Sequence, residues 1–418
     1  MAQLSDDCFA HGGRLMTTAE ALALLAERIS PVAEAETVPL GQTLGCILAE
    51  DVVAPWDVPP HDNAAVDGYA IYFDDLDPAG DSRLPVRGRT SAGHPLDGPA
   101  GRGAAVRIFT GAPMPEGPDT VMMQEDCRME GDEVVIPPGI RRGANRRGRG
   151  EDMRAGTVAL RRGRRLRPQD LGQAAACGRR QLSVARRLHV ALFSTGDELR
   201  EPGAALEPGC IYDSNRITIA ALLDGLGCKV DDLGILQDEP ETIRAALAEA
   251  GRGHDLIVTS GGVSVGEEDH VRPAVESLGR LHLWRLAIKP GRPIALGQVG
   301  RVPFVGLPGN PVAVMVTFVN IVRPMILGLL GGSELSPHHF QVRAGFDHKK
   351  KKDRREWIRA RLEPDGEGGW RAVKFPREGA GILSSLVESD GLVELSEEIT
   401  HLKAGTMVDF LPFSEVCT

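Results

Sequence analysis

Aromatic residues make up only 4% of the 418 residues. Too few interleave with the basic runs to stack bases, which argues against nucleic acid as a partner, and the cores must be built from Val, Leu, Ile and Ala. Cysteine is scarce: seven residues, at 8, 46, 127, 177, 210, 228 and 417, with no Cys-x-x-Cys pair. That excludes a readable zinc or disulfide framework and suits reduced thiols in a cytoplasm. No Gly-Lys dipeptide and no Gly-x-Gly-x-x-Gly occurs, which removes the usual support for an ATPase or a dinucleotide oxidoreductase. The longest apolar stretch, Val312–Val322, ends at Arg323-Pro324, short of the roughly 20 residues a membrane span needs. Asp6 and Asp7, with no apolar core around them, predict no secretory leader. Glycine and proline are plentiful, at 50 and 29 residues, so tight turns are frequent.

The net charge of −10 is unevenly spread. Residues 141–167 are dense in arginine, and HKKKKDRR occupies 348–355. The arginine stretch suits a small, highly charged anion; the lysine run reads as a solvated face. Thr17 and Glu20 have capping-box spacing before a helix over 17–29. Short Val/Ile/Tyr runs between Gly/Pro turns over 55–138 predict a small β domain. Over 188–332 strands and helices alternate, predicting a parallel sheet wrapped on both faces. Beyond 340 the texture returns to β: EWIRARLE and WRAVKF flank a hairpin turn, and GILSSL, GLVELS and TMVDFLPF follow, predicting a small barrel or sandwich.

The unusual turns of the α/β stretch all follow strands: STGDEL (194–199), LQDEP (236–240), SGGVSVGEED (260–269) and GLPGNP (306–311). In a parallel sheet those turns share one edge, where ligands bind. Asp197, Glu198, Asp238, Glu267, Glu268 and Asp269 are therefore expected to converge there. Carboxylates that meet without His or Cys suggest Mg²⁺ bridging to a phosphate. Asn310 and Pro311 suit the cap and first turn of a helix whose N–H groups can bind an anion, with Lys289 and Arg292 near in sequence. The same glycine-rich turn contains Gly-x-Ser-x-Gly at Gly262, Ser264 and Gly266. A hydrolase elbow is opposed by the three acids that follow Ser264, where an oxyanion would form.

PPHDNAAVDGYA (59–70), RIFTGAPMPEGPDTVMMQED (107–126), GANRRGRGEDM (143–153), FSTGDEL (193–199), IYDSNR (211–216), TSGGVSVGEEDH (259–270), LAIKPGRP (286–293) and GLPGNPV (306–312) run in order along the chain. In this ordered set the chain resembles the molybdopterin molybdotransferases and the C-terminal domain of gephyrin. The resemblance implies a multidomain α/β plus β fold. It comprises an elongated helical dimerisation region (1–54 and 151–187), an inserted β domain (55–150), a doubly wound α/β domain (188–335) and a C-terminal β barrel (336–418). It also implies a homodimer whose site joins the α/β domain of one subunit to the β domain of the other. The implied reaction takes adenylylated molybdopterin and molybdate, releases AMP and leaves molybdenum on the dithiolene. An adenylyltransferase would supply the substrate and molybdoenzymes would receive the product.

Carried onto this sequence, the resemblance implies functional roles for Asp62, Thr110, Asp152, Glu198, Asp238 and Asp269, with Asp238 and Asp269 as Mg²⁺ ligands. It implies pterin or nucleotide contacts at Gly196, Asp197, Asn215, Ser260, Gly261, Gly262, Ser264, Gly266, Pro308, Gly309, Asn310 and Pro311. Molybdate is implied at Lys289, Pro290 and Arg292, with Arg359 and Ser384 or Ser385 from the barrel. Ala64 and Ala313 stand where the family often has serine, so an oxyanion contact is expected to be lost or moved at these positions. Two other readings are a serine hydrolase acting through Ser264 and a gephyrin-like scaffold without chemistry.

Overall fold

The computed structural model describes residues 15–261 and 270–417. The chain divides into two compact units, one holding Asp51–Arg161 and Pro168–Gln181 and the other the remainder.

The larger unit is built on a six-stranded sheet. Its elements are β1 (His189–Thr195), α1 (Ser214–Gly225), β2 (Lys229–Leu236), α2 (Pro240–Gly253), β3 (Leu256–Ser260), α3 (Val271–Leu278), β4 (Gly279–Arg285), β5 (Pro293–Val299), β6 (Val302–Leu307) and α4 (Pro311–Thr317). The strand order is β2-β1-β3-β6-β5-β4. The first four strands are parallel, as the βα alternation predicts. β4 and β5 are antiparallel and extend the sheet, so it is mixed and not purely parallel. The sequence reading assigned GRLHLWR and PIALGQV to no strand, and no two-residue hairpin turn joins them. A seven-residue connection, 286–292, does so instead, and this detour carries Lys289. Burial on both faces explains the near-continuous apolar runs of β1 and β3.

The helix after β6 does not stop at Arg323-Pro324. It passes through a π-helical turn, Phe318–Val322, into Arg323–Leu329; the wider turn gives room for the Pro324 ring, which has no N–H to offer the preceding turn. The continuous helical run, Pro311–Leu329, is 89% buried inside the protein and forms the core of this unit.

The C-terminal strands form a closed five-stranded ring. Strand 355–364 pairs with 370–374, that with 340–344, that with 407–412, that with 391–395, and the last returns to 355–364. Val342, Ile358, Val393, Val408 and Phe410 fill it. GILSSL, expected as a strand, contains a short helix, Ser384–Val387. The expected run of strands is interrupted because Ile382 O accepts a hydrogen bond from Ser385 Oγ and folds the chain back locally.

The smaller unit carries a six-stranded sheet made from 68–71, 82–90, 105–108, 120–123, 128–130 and 133–136. Two apolar clusters pack on it, one around Val106 and Ile108 and one around Ile71 and Val134.

The helix Thr18–Arg28 starts on the expected capping box: Thr17 Oγ1 accepts from the Glu20 amide at 3.2 Å, and the Glu20 carboxylate accepts from the Thr17 amide at 2.8 Å. Thr17→Ala should cost about 1 kcal/mol locally. Amide exchange in the first turn of that helix should then accelerate roughly fivefold in native-state measurements, with the barrel amides unchanged.

Candidate functional site

At the C-terminal edge of β1, β3 and β6 the loops meet as the topology requires. Gly261 adopts φ +86°, and a Cβ there would lie 2.8 Å from Thr195 O, so only glycine lets β3 turn this close to the end of β1. Asn215, at the start of α1, ties the loops together: its Nδ2 donates to Ser260 Oγ at 3.0 Å and to Gly309 O at 2.7 Å. Its Oδ1 is shielded from solvent and, among the described residues, has no hydrogen-bond partner. It is therefore available to a donor on a ligand. Asn215 is itself held by the cap of α1. Asp213 accepts from the Arg216 amide at 3.1 Å, and the buried Arg216 guanidinium bonds Asp213, Asp232 and Glu201.

Two cavities adjoin along Gly261, Gly309 and Asn310, which line both. The smaller, 320 Å³, is bounded by Thr195, Glu198, Tyr212, Asn215, Ser260 and Pro311. The larger, 540 Å³, lies against the barrel and is lined by Lys289, Pro290, Pro308, Ala313, His348, Glu356, Arg359, Lys374, Arg377 and Glu378 among others. Its position follows from a short parallel pairing in which Ile288 faces Arg355 and Lys289 faces Glu356.

The larger cavity holds a polar network. Lys289 Nζ lies 3.6 Å from Glu356 Oε2 and 3.8 Å from Glu378 Oε2. His348 Nε2 is 3.0 Å from Glu356 Oε2, and its Nδ1 faces Lys374 Nζ at 3.4 Å. An ammonium can only donate, so Nδ1 accepts and the proton sits on Nε2, directed at Glu356. Burial would raise the Glu356 carboxyl, but His348, Arg354 and Lys289 outweigh it and hold it below its ordinary range. The Lys374 hydrogen bond, with Lys289 and His348 beyond, holds Glu378 low as well. Burial pushes the Arg359 guanidinium down, with Glu378 opposing. Arg359 Nε donates to Ser385 Oγ at 3.1 Å. Four cations and two carboxylates line this cavity, which leaves two formal positive charges, a match to a dianion.

The expected residues thus fall into groups. Lys289, Pro290, Pro308, Gly309, Asn310, Gly261 and Arg359 line the larger cavity, and Ser385 stands behind Arg359. Glu198, Asn215, Ser260 and Pro311 line the smaller. Gly196, Asp197, Asp238, Arg292 and Ser384 line neither. Asp238 follows the C-terminal end of β2. Gly262, Ser264, Gly266, Glu267, Glu268 and Asp269 lie outside the described residues. Asn310 caps α4 by position, but its side chain makes no cap bond, and the Val312 amide is spent on Ala380 O at 2.9 Å. Lysine and arginine side chains, more than that helix end, supply the positive field.

In the smaller unit Asp62 Oδ1 accepts from the Arg149 amide at 2.7 Å, and its Oδ2 lies 3.6 Å from Arg146. The DNAAVDG and GRGED motifs are therefore neighbours within that unit. Thr110 bonds Asp67 twice, through its amide and its hydroxyl, both at 2.7 Å. These bonds hold the Asp67 carboxyl below its ordinary range. Asp152 sits in the same turn as Arg149, with its amide on Val58 O at 3.0 Å. Parts of the arginine stretch are tied to acids, as Arg142 is to Asp119 and Arg149 to Asp57.

Sequence reasoning missed His348, Glu356, Lys374, Arg377 and Glu378. The run 348–355 is not a plain solvated face: His348 is buried at the cavity, and Arg355 is clamped between Glu394 and Glu397. The signal available was the alternation in EWIRARLE, which puts Glu356 on an inward-facing register of a barrel strand, where an acid needs a cation.

Residues 16–178 match the family described as MoeA N-terminal region (domain I and II), 191–328 the probable molybdopterin binding domain, and 341–413 the MoeA C-terminal region (domain IV). The chain is 36% identical over 404 residues to the molybdopterin molybdenumtransferase of Haemophilus influenzae, covering 96% of this chain and all of that protein. It is 35% identical to molybdopterin molybdenumtransferase 2 of Mycobacterium tuberculosis, covering 89% and 93%. A crystal structure of the molybdopterin biosynthesis moeA protein from Pyrococcus horikoshii OT3 superposes with a TM-score of 0.81 at 30% identity, covering 95% of this chain and 99% of that one.

Because the folded pKa of Glu356 lies below its ordinary 4.5, its ionised form contributes stability that is present above that value. The contribution is lost as pH falls through the folded pKa. Glu356→Gln should therefore lower Tm at pH 7 and flatten the decline of Tm between about pH 5 and pH 3. A pH series by scanning calorimetry measures both; an acid limb as steep as the parent's would contradict the pairing.

Proposed function

The chain belongs to the MoeA family, and from that membership we propose that it is a molybdopterin molybdenumtransferase that inserts molybdenum from molybdate into adenylylated molybdopterin and releases AMP. The observation that carries the reading is the pair of adjoining cavities, one lined by four cations and the other walled by Asn215, Ser260 and Glu198. A dianion and a polyanionic nucleotide must be brought together, and two unit charges about 4 Å apart repel by roughly 4 kcal/mol at an intermediate effective dielectric. Lys289, Lys374, Arg359 and Arg377 offset that on the oxyanion side. Asn215 Oδ1, lacking a protein partner among the described residues, offers an acceptor to the pterin or adenine on the other. Gly309 and Asn310, shared by both walls, would sit between the two substrates. No hydrolytic or purely scaffolding role draws support from the relatives.

Were Glu198, Asp238 and Asp269 to meet in the folded dimer, as the sequence order leads one to expect, they would offer only oxygen donors, which suits Mg²⁺ better than a softer metal. When bound, Mg²⁺ would neutralise phosphate charge, with Asp238 and Asp269 as its proposed protein ligands. Glu198 would orient the nucleotide or a water beside it, and the Asp62, Thr110 and Asp152 turns would complete the site in a homodimer. The partners would be an adenylyltransferase that supplies the substrate and molybdoenzymes that receive the product. The six described cysteines are all free, which fits a cytoplasmic setting.

Incubation with adenylylated molybdopterin, molybdate and Mg²⁺ should release AMP in step with metal loading of a recipient apo-molybdoenzyme; AMP release without loading would overturn the reading. Lys289 is 44% exposed, and the cavity holds it beside further cations, so removing its charge should weaken anion binding even after solvent screening. Lys289→Met should accordingly raise the half-saturating molybdate concentration about tenfold while AMP binding by calorimetry stays within twofold. An unchanged molybdate dependence would remove the oxyanion from the larger cavity.

A further inference from the structure

The edge of the sheet opposite the cavities carries a second constellation. His189 is the first residue of β1, Asp231 the third of β2, and His254 caps the C-terminus of α2. Their ligand atoms all lie within 4.8 Å of one another. Asp231 Oδ2 is 2.9 Å from His189 Nε2 and 3.1 Å from His254 Nε2. The Nδ1 atoms face backbone carbonyls instead: His189 Nδ1 is 3.1 Å from Gly253 O, and His254 Nδ1 is 3.2 Å from Ala250 O.

A carbonyl oxygen only accepts, so both rings carry a proton on Nδ1. In the neutral rings the Nε2 lone pairs then face the lone pairs of a carboxylate, which is repulsive. One escape is a second proton on each ring, but that places two imidazolium rings with centroids 4.3 Å apart. It would also waste the proton on His189: its Nε2, shielded from solvent, makes no hydrogen bond among the described residues despite its closeness to Asp231. At His189 the Nε2 lies beside the oxygen without aiming at it, which leaves its lone pair for a shared cation, while His254 Nε2 meets Asp231 Oδ2 in hydrogen-bond geometry at 3.1 Å and would exchange that contact for the same ion. Ligands on a tetrahedral ion at zinc bond lengths sit about 3.3 Å apart, close to the spacings here. The carbonyl-anchored Nδ1–H groups are the outer-shell partners that fix ligating histidines. The backbone of His189 is pinned in addition: its amide donates to Asp255 Oδ2 at 2.8 Å, and Arg186 holds Asp255 through two bonds of 2.6 and 2.7 Å.

We propose that His189, Asp231 and His254 form a binding site for a divalent transition metal of the zinc class, separate from the substrate cavities. Two imidazoles and one carboxylate select zinc and its neighbours over Mg²⁺ or Ca²⁺, which take oxygen ligands. Three protein ligands leave a fourth position for water, and the side chains of Asp231 and His189, 43% and 25% exposed, leave an approach from solvent. The ion would fasten the C-terminal end of α2 to β1 and β2.

The full chain, stripped with a chelator, is titrated with Zn²⁺ by calorimetry beside Asp231→Asn and His254→Gln, each checked for native circular dichroism. The parent should bind one more Zn²⁺ per chain than either variant, with micromolar or tighter affinity that weakens at least tenfold in each. Zn²⁺ should raise the parent's Tm and not the variants', and Mg²⁺ should not substitute. Equal stoichiometry and affinity in parent and variants would assign the zinc to cysteines elsewhere and overturn the proposal, as would a parent Tm indifferent to Zn²⁺.

Discussion

A two-residue parallel pairing, Ile288 and Lys289 against Arg355 and Glu356, is the constraint on which the larger cavity depends. It joins the connection between two antiparallel strands of the α/β sheet to a strand of the barrel. The Arg355 amide on Ala287 O at 2.8 Å and the Val312 amide on Ala380 O at 2.9 Å fasten the same two layers. Neither layer alone has the charge pattern. The α/β side brings Lys289, and the barrel brings Glu356, Arg359, Lys374, Arg377 and Glu378. Gly291 shows how tight the junction is: its φ is +98°, and a Cβ there would lie 2.5 Å from Thr317 Oγ1. Any larger residue would push the connection away from the core helix and Lys289 with it.

The charges in that junction are arranged to stay ionised without a ligand. Glu356 and Glu378 are held low by their cations, so the lysines do not face one another unscreened. Pre-paired carboxylates also prevent the cavity from binding anions indiscriminately, since an entering anion must meet Glu356 and Glu378 as well as the cations. The smaller cavity follows a different logic. Asn215 is fixed by two hydrogen bonds and by a capped helix whose Arg216 is surrounded by three carboxylates. A neutral, rigid amide gives orientation where the larger cavity gives charge.

What could be read from the sequence divides along the same line. The βα alternation of 188–332 gives the parallel strands, and the parallel strands bring STGDEL, Ser260 and GLPGNP to one edge, because topology alone decides that. The capping box at Thr17 is local and equally legible. The antiparallel pair β4 and β5 is not, since its strands are joined by the seven-residue connection 286–292 and not by a two-residue hairpin turn. Without that pair there is no way to foresee that Lys289 meets a barrel strand. Glu356 and Glu378 were hidden for the same reason: Lys289, which both approach, lies 356 − 289 = 67 and 378 − 289 = 89 residues away in the chain, and no periodicity encodes that distance. The lysine run misled because composition describes an average face, whereas His348 at its start turns inward.

The two alanines at which the family resemblance leads one to expect serine differ in their settings. Ala64 is fully buried in an apolar cluster with Ala70, Val106 and Ile108. A hydroxyl there would need a partner the cluster does not supply, so its absence removes a burden and no ligand contact. Ala313 lines the larger cavity and offers no hydrogen-bond donor at the wall itself. One helical turn along the same face, Thr317 Oγ1 is buried and without a hydrogen bond among the described residues, directly behind Gly291. That hydroxyl is too enclosed to touch an anion while Gly291 stands in front of it. An oxyanion in that cavity, as proposed above, would then be held by charge and not by hydroxyl donors, and a site that relies on charge discriminates by net valence more than by shape. Such a wall suits a small symmetric dianion, which presents no single edge for a fixed donor to read.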